Sequence, residues 1–228
     1  SGEGSVAKNP DQLTYTHGTQ VTLTATPAVG WSFGGWSGDI SSTQNPIDIT
    51  IDGDKAVTAT FAQNQYTLTV TIVGSGIVAK NPDQATYIHG TTVILTASAE
   101  VGYTFAGWSG DLTSTENPVD VLMDGNKAIT ATFTQNQYML TVTLVGGGSV
   151  SKVPDQTTYT YGTVVTLTAT PDIGWSFSGW SGDLSGSINP TTITMNSGKS
   201  VTATFTQNQY TLTISIVGSG SVSKSPDQ

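Results

Sequence analysis

Apolar and polar residues alternate with period two along most of this chain. Val21-Thr22-Leu23-Thr24-Ala25-Thr26 interleaves apolar residues with threonine, and Pro27 closes the run. Such alternation puts one face of an extended strand in a core and the other in solvent. Upstream, residues 4 to 15 begin extended and meet a turn at Asn9-Pro10-Asp11, and His17-Gly18 supplies a second turn. Downstream, Trp31 and Phe33 share one face of a strand, while Trp36 has the opposite parity. A bulge at Gly34-Gly35 would bring all three rings to one core, and the small residue followed by glycine recurs as Ala106-Gly107 and Ser178-Gly179. Ile47–Ile51 alternates again, Asp52-Gly53-Asp54-Lys55 predicts a hairpin turn, and Val57–Phe61 is expected to return antiparallel. The longest strand pattern, Tyr66–Val73, ends at Gly74-Ser75-Gly76. No helical periodicity spans ten residues and β-branched residues dominate the elements, so the chain is predicted to be all-β, with threonines on the outer faces.

The pattern repeats. Gly-Trp-Ser-Gly-Asp occurs at 35–39, 107–111 and 179–183, and subtraction gives 108 − 36 = 72 and 180 − 108 = 72. The predicted core of each unit is aromatic: Trp31, Phe33, Trp36 and Phe61, then Tyr66, Tyr103, Phe105, Trp108 and Phe133, then Tyr138, Trp175, Phe177, Trp180 and Phe205, with Tyr210 as the core tyrosine of a further opening strand. A unit this small buries only about 60% of the surface its unfolded chain exposes. With no cysteine there are no disulfide staples, so aromatic burial and strand pairing must supply the stability. The formal net charge of −9 is thinly spread, which argues against nucleic acid as a partner, and no apolar run reaches the roughly 18 residues of a membrane span. Ser1 to Val6 lacks the pattern of a signal peptide, so the chain reads as a mature segment.

The motifs that carry chemistry elsewhere have plainer readings here. The rings would suit a carbohydrate-stacking platform, but units without metal or cysteine need them as core, with Trp31, Tyr103 and Trp175 the most exposed of the set. Asp39, Asp111 and Asp183 invite calcium, which wants six to eight oxygens. The third unit has Asn196-Ser197-Gly198 where the others carry Asp52-Gly53-Asp54 and Asp124-Gly125-Asn126, so loop organisation is the better reading. On it, the aspartates accept backbone N–H bonds while Asn45, Asn117 and Asn189 close the far side. His17 and His89 face Tyr161 in the third unit, so they share no imidazole role and read as turn or surface residues. Glu3, Glu100 and Glu116 are out of register; no catalytic constellation, cofactor site or metal site is predicted. A lysine–asparagine isopeptide staple would have to use an aspartate such as Asp39 as its proton carrier, and each link would lower the intact mass.

Several features together resemble a known family. They are Tyr66, Tyr87, Gly90, the stretch Gly-Tyr-Thr-Phe-Ala-Gly-Trp at 102–108, Asn117-Pro118 and the closing Ala131-Thr132-Phe133. The chain resembles the divergent internalin-type B-repeat domains of bacterial cell-surface proteins. The resemblance implies small β-grasp-related modules in tandem, extracellular or on the cell surface, with no catalytic residues to carry over. It also places the boundaries: 1–65 is a first repeat lacking its opening strand, 66–137 a second, 138–209 a third, and 210–228 an opening strand of a further repeat. Either the segment comes from a longer array or the last strand completes the first unit of another molecule. Residues 220–228 duplicate the register of residues 4–12, which weighs for the longer array. The expected role is a structural stalk, spacer or filament element. Its partners would be neighbouring repeats or copies of itself, and surface polysaccharide or a host protein if it is an adhesin. The connectors Gln63-Asn64-Gln65, Gln135-Asn136-Gln137 and Gln207-Asn208-Gln209 are too short to swivel freely. An adhesin using exposed rings, and an accessory region of a larger secreted enzyme, are the rival readings.

Overall fold

Each repeat is a sandwich of two small sheets, seen most completely in the second. In the computed structural model, which describes residues 2–226, its six main strands make three antiparallel pairs and one parallel pair. One sheet runs aromatic strand (Tyr103–Gly110), closing strand (Lys127–Gln135), opening strand (Leu68–Val73), with the closing strand central and the opening strand parallel to it. The other runs short strand (Val119–Met123), long strand (Thr91–Ala99), return strand (Gly76–Asn81), all antiparallel. Inward residues of both sheets, among them Val93, Leu95, Met123, Ile129 and Phe133, form one buried cluster around Trp108. Threonine fills most of the alternate outward positions, as a pleated half-buried surface prefers.

The third repeat repeats this plan in Leu140–Val145, Gly148–Val153, Thr163–Pro171, Trp175–Gly182, Thr191–Met195 and Lys199–Gln207. In the first, Gly4–Asn9, Thr19–Pro27 and Ile47–Ile51 make the antiparallel sheet. The other sheet has only Trp31–Gly38 and Val57–Gln63 among the described residues. No helix occurs among them, so the chain is all-β and built of tandem repeats, as its alternation predicts. Two compact units result: Ser1–Gln135 holds the first two repeats, and Asn136–Gln228 holds the third and the tail.

The predicted hairpin of residues 47–61 does not form. Ile47–Ile51 pairs with the long strand and Val57–Gln63 with the aromatic strand, so the turn at 52–55 carries the chain from one sheet to the other. Alternation alone fits both outcomes, because each strand shows one apolar face whether its neighbour lies beside it or across the core. The predicted strand Tyr66–Val73 is also split. Gln65–Tyr66 pairs with Tyr87–Ile88, Leu68–Val73 pairs with the closing strand, and the Thr67 amide between them donates to Asn126 Oδ1 at 2.9 Å.

Candidate functional site: the cores and the junction between repeats

The bulge sets the geometry of each core. Phe105 faces Phe133 across the ladder, Ala106 is the extra residue, and Gly107 resumes pairing with Thr132. Trp108 therefore lies opposite Ala131, on the same face as Phe105, and the two rings are 4.9 Å apart. The shift recurs at Phe33/Gly35 and at Phe177/Gly179, with Phe–Trp separations of 5.1 Å and 5.0 Å. Gly107 has φ +142°, and a Cβ there would lie 3.0 Å from the Ser114 carbonyl oxygen, so this position suits glycine. Trp36, Trp108 and Trp180 are buried, and each indole Nε1 donates at 2.9 Å to a loop carbonyl, of Gln44, Glu116 and Ile188. These tryptophans have their polar atom satisfied and their rings packed in the clusters of their repeats.

Phe61, Phe133 and Phe205 are buried, while Phe33, Phe105, Phe177, Trp31, Tyr103, Trp175, Tyr66 and Tyr138 are half-buried against their clusters or partner strands. Trp175 lies over the turn of its own repeat: a Cβ on Gly147 would stand 2.7 Å from its indole nitrogen. Tyr210 departs from the expected core role, being 84% exposed. Tyr66 and Tyr138 pair with Tyr87 and Tyr159, each 21 residues on (87 − 66 and 159 − 138); Tyr210 has no such partner strand among the described residues.

The loop residues form two recurring clasps. Asp111 Oδ2 accepts from the Ala128 amide at 2.7 Å and Asp183 Oδ2 from the Ser200 amide at 2.7 Å, as Asp39 does from Ala56. Asn117 Oδ1 accepts from the Ala97 amide at 2.8 Å, and its Nδ2 donates to the Ala97 carbonyl at 2.7 Å. Asn45 and Asn189 hold Ala25 and Ala169 in the same way. The register Leu95↔Val119 extends to Ala97↔Asn117, so the side-chain amide continues the ladder where the backbone has turned away. Among the described residues, no group of three or more histidine and acidic side chains is placed to hold a metal.

Sequence reasoning overlooked a tyrosine that anchors the turn after each return strand. Tyr87, 1% exposed, donates its hydroxyl to the Pro82 carbonyl at 3.0 Å and accepts from the Gln84 amide at 3.2 Å; Tyr159 does the same with Pro154 and Gln156. Tyr15 makes these bonds with Pro10 and Gln12 but is only half-buried. The fixed offset of proline and tyrosine, repeated every 72 residues, was the available signal.

The joint between the first and second repeats is built on Asn64, which uses every polar group it has. Its amide donates to the Gly30 carbonyl at 2.8 Å, and its carbonyl accepts from the His89 amide at 3.0 Å. Oδ1 accepts from the Ser32 hydroxyl, and Nδ2 approaches the Tyr66 hydroxyl at 3.5 Å. His89 is packed here rather than lying free at a turn. Its ring meets Tyr66 edge-on with centroids 6.0 Å apart, and a Cβ on Gly30 would fall 2.4 Å from it. Asn136 and Asn208 repeat parts of the pattern, Asn136 accepting from the Tyr161 amide and Asn208 donating to the Gly174 carbonyl.

Three consecutive segments, residues 1–65, 66–137 and 138–209, match the divergent InlB B-repeat domain. The chain belongs to that family. No curated protein matches it. The matched boundaries fall at the connectors, so one B-repeat runs from the tyrosine pairing with its anchor to the end of the closing strand. Repeats of this type are not catalytic modules.

Proposed function

We propose that the chain is a structural segment of a bacterial surface protein, in which B-repeats set the spacing and direction of the parts they connect. The observation that carries this reading is the Asn64 joint: both backbone polar groups and both side-chain polar atoms of the connector residue are engaged by the two repeats it joins. A connector so occupied has no free torsion to swivel about, because any rotation breaks several bonds at once. The association of the B-repeat family with bacterial surface proteins supports an extracellular location, and an absence of disulfides is compatible with it. Nitrogen relaxation on the full chain tests the reading. A rigid joint predicts that amides of residues 19–63 and 91–135 report one common rotational diffusion tensor; separate tensors for the two repeats would refute it.

A further inference from the structure

We infer that the joint between the first and second repeats is held closed by neutral His89 and loosens when mild acid protonates that ring. The inference rests on the reading of the Asn64 joint as the rigid element of the segment, and adds a control to it. Gln65 pairs with Ile88 and Tyr66 with Tyr87, and the next rung of that ladder is the His89 amide on the Asn64 carbonyl at 3.0 Å. The ring therefore sits where the chain enters the second repeat, against the Gly30 turn of the first. A Cβ on Gly30 would fall 2.4 Å from Cδ2 and 2.6 Å from Cγ of the ring, so the imidazole occupies the space that glycine leaves open. Another neighbour is the Tyr66 ring, met edge-on. His89 Nδ1 is buried and has no hydrogen-bond partner among the described residues.

A buried polar atom without a partner calls for a physical reason. In neutral imidazole one nitrogen is a bare acceptor, and leaving it unpaired costs far less than leaving a charged donor unpaired. Imidazolium carries an N–H at both positions. Protonation therefore places a charged donor at Nδ1, away from water and facing no acceptor, and the ring regains solvation only by leaving the Gly30 contact. The surrounding charges do not reverse this. The turn Ala28-Val29-Gly30 and the connector Gln63-Asn64-Gln65 bring no titratable side chain. Tyr66 and Tyr87 bring phenols, and the Tyr87 hydroxyl is engaged by the Pro82 carbonyl. The turn after Val119–Met123 brings Asp124 and Lys127. Charge on His89 attracts the Asp124 carboxylate, but that side chain is 54% exposed and already paired with Lys127 at 2.6 Å, so solvent screens the attraction. The closed joint is thus favoured above about pH 6.5, the ordinary histidine midpoint, and weakened below it.

Between about pH 7.5 and about pH 5 the carboxylates stay charged, so the side chains that titrate are His89 and the exposed His17. Native-state hydrogen exchange on the full chain reads the joint through two amides, Asn64 on the Gly30 carbonyl and His89 on the Asn64 carbonyl. Asn208 and Tyr161 make the corresponding bonds, to Gly174 and Asn136, with tyrosine in place of the histidine, and serve as the internal control. Protection of Asn64 and His89, corrected for the intrinsic exchange rate at each pH, is expected to fall by about tenfold or more at the lower pH and to follow the His89 ring-nitrogen shifts. That of Asn208 and Tyr161 should change less than about threefold. His89→Tyr should remove the pH dependence, and His17→Gln should leave it. Equal protection of Asn64 and His89 at both pH values, an equal loss at all four amides, or a loss that does not follow the ring's titration would overturn the inference. So would a loss that persists in His89→Tyr. One diffusion tensor for the first two repeats at about pH 7.5 leaves the structural reading standing after such a failure, whereas separate tensors there refute that reading itself.

Discussion

Leu68→Ala isolates the contribution of an opening strand to a B-repeat. Leu68 is 7% exposed and lies in the cluster of Val93, Leu95, Met123 and Ile129. Truncating a buried leucine costs about 2–5 kcal/mol, made up of lost transfer energy and the cavity left behind. Leu68 is the first residue of its strand, beside the loop where Thr67 meets Asn126, so neighbours have room to relax and the lower part of that range applies, about 2–3 kcal/mol. At about 1.4 kcal/mol per factor of ten, local opening of the second repeat should become roughly 30- to 150-fold more frequent. Native-state hydrogen exchange reads this residue by residue. The amides of Val93, Leu95 and Ile129 should lose that much protection, while those of Val165, Leu167 and Val201 in the third repeat keep theirs. A loss below threefold at Val93 and Leu95, or an equal loss in both repeats, would refute the reasoning. The first result would mean the opening strand is not part of the core; the second, that the repeats do not open separately.

The same geometry sets three further outcomes. Gly107→Ala places a side chain at φ +142° and 3.0 Å from the Ser114 carbonyl oxygen, so it should destabilise by about 1–3 kcal/mol, whereas Gly53→Ala, with nothing within 4 Å, should stay within about 0.5 kcal/mol; paired thermal melts compare them. Tyr87→Phe removes two hydrogen bonds from a buried hydroxyl and should cost about 1–2 kcal/mol in urea unfolding, more than Tyr15→Phe at its half-buried counterpart. The hydrogen bond and charge of Lys127, its ion-pair partner at 2.6 Å, hold the Asp124 carboxyl below its ordinary 3.8. That pair is formed above the ordinary value and lost as pH falls through the lowered one. A carbon-detected titration should therefore put the Asp124 midpoint below 3.8, and a midpoint at or above 3.8 would contradict the pairing.

Much of the fold was legible because its signals are periodic. The Gly34-Gly35 bulge could be foreseen from parity alone: Trp31 and Phe33 cannot share a face with Trp36 without one extra residue, and the ladder shifts there. Strand partners were less legible. Ile47–Ile51 and Val57–Phe61 look like a hairpin because they are adjacent and alternate, yet each pairs within a different sheet, a choice set by the whole core rather than by the local turn. The clasp residues were visible as recurring Asp and Asn, but their partners were not, since Ala97 and Ala128 act only through backbone groups that carry no sequence signature. Asn64 was visible only as part of a short connector and His89 only as a turn or surface residue, for a related reason: their importance lies in contact between repeats, which the composition of one repeat does not encode.

The central claim, that the Asn64 joint fixes the first B-repeat to the second, is tested most directly by a distance distribution across it. Spin labels on Thr24→Cys and Thr96→Cys, at exposed positions of the two long strands in a chain with no other cysteine, report that distance by pulsed electron resonance. A single narrow distribution that broadens on Asn64→Gly is the predicted result; a broad distribution in the otherwise native chain would contradict the account.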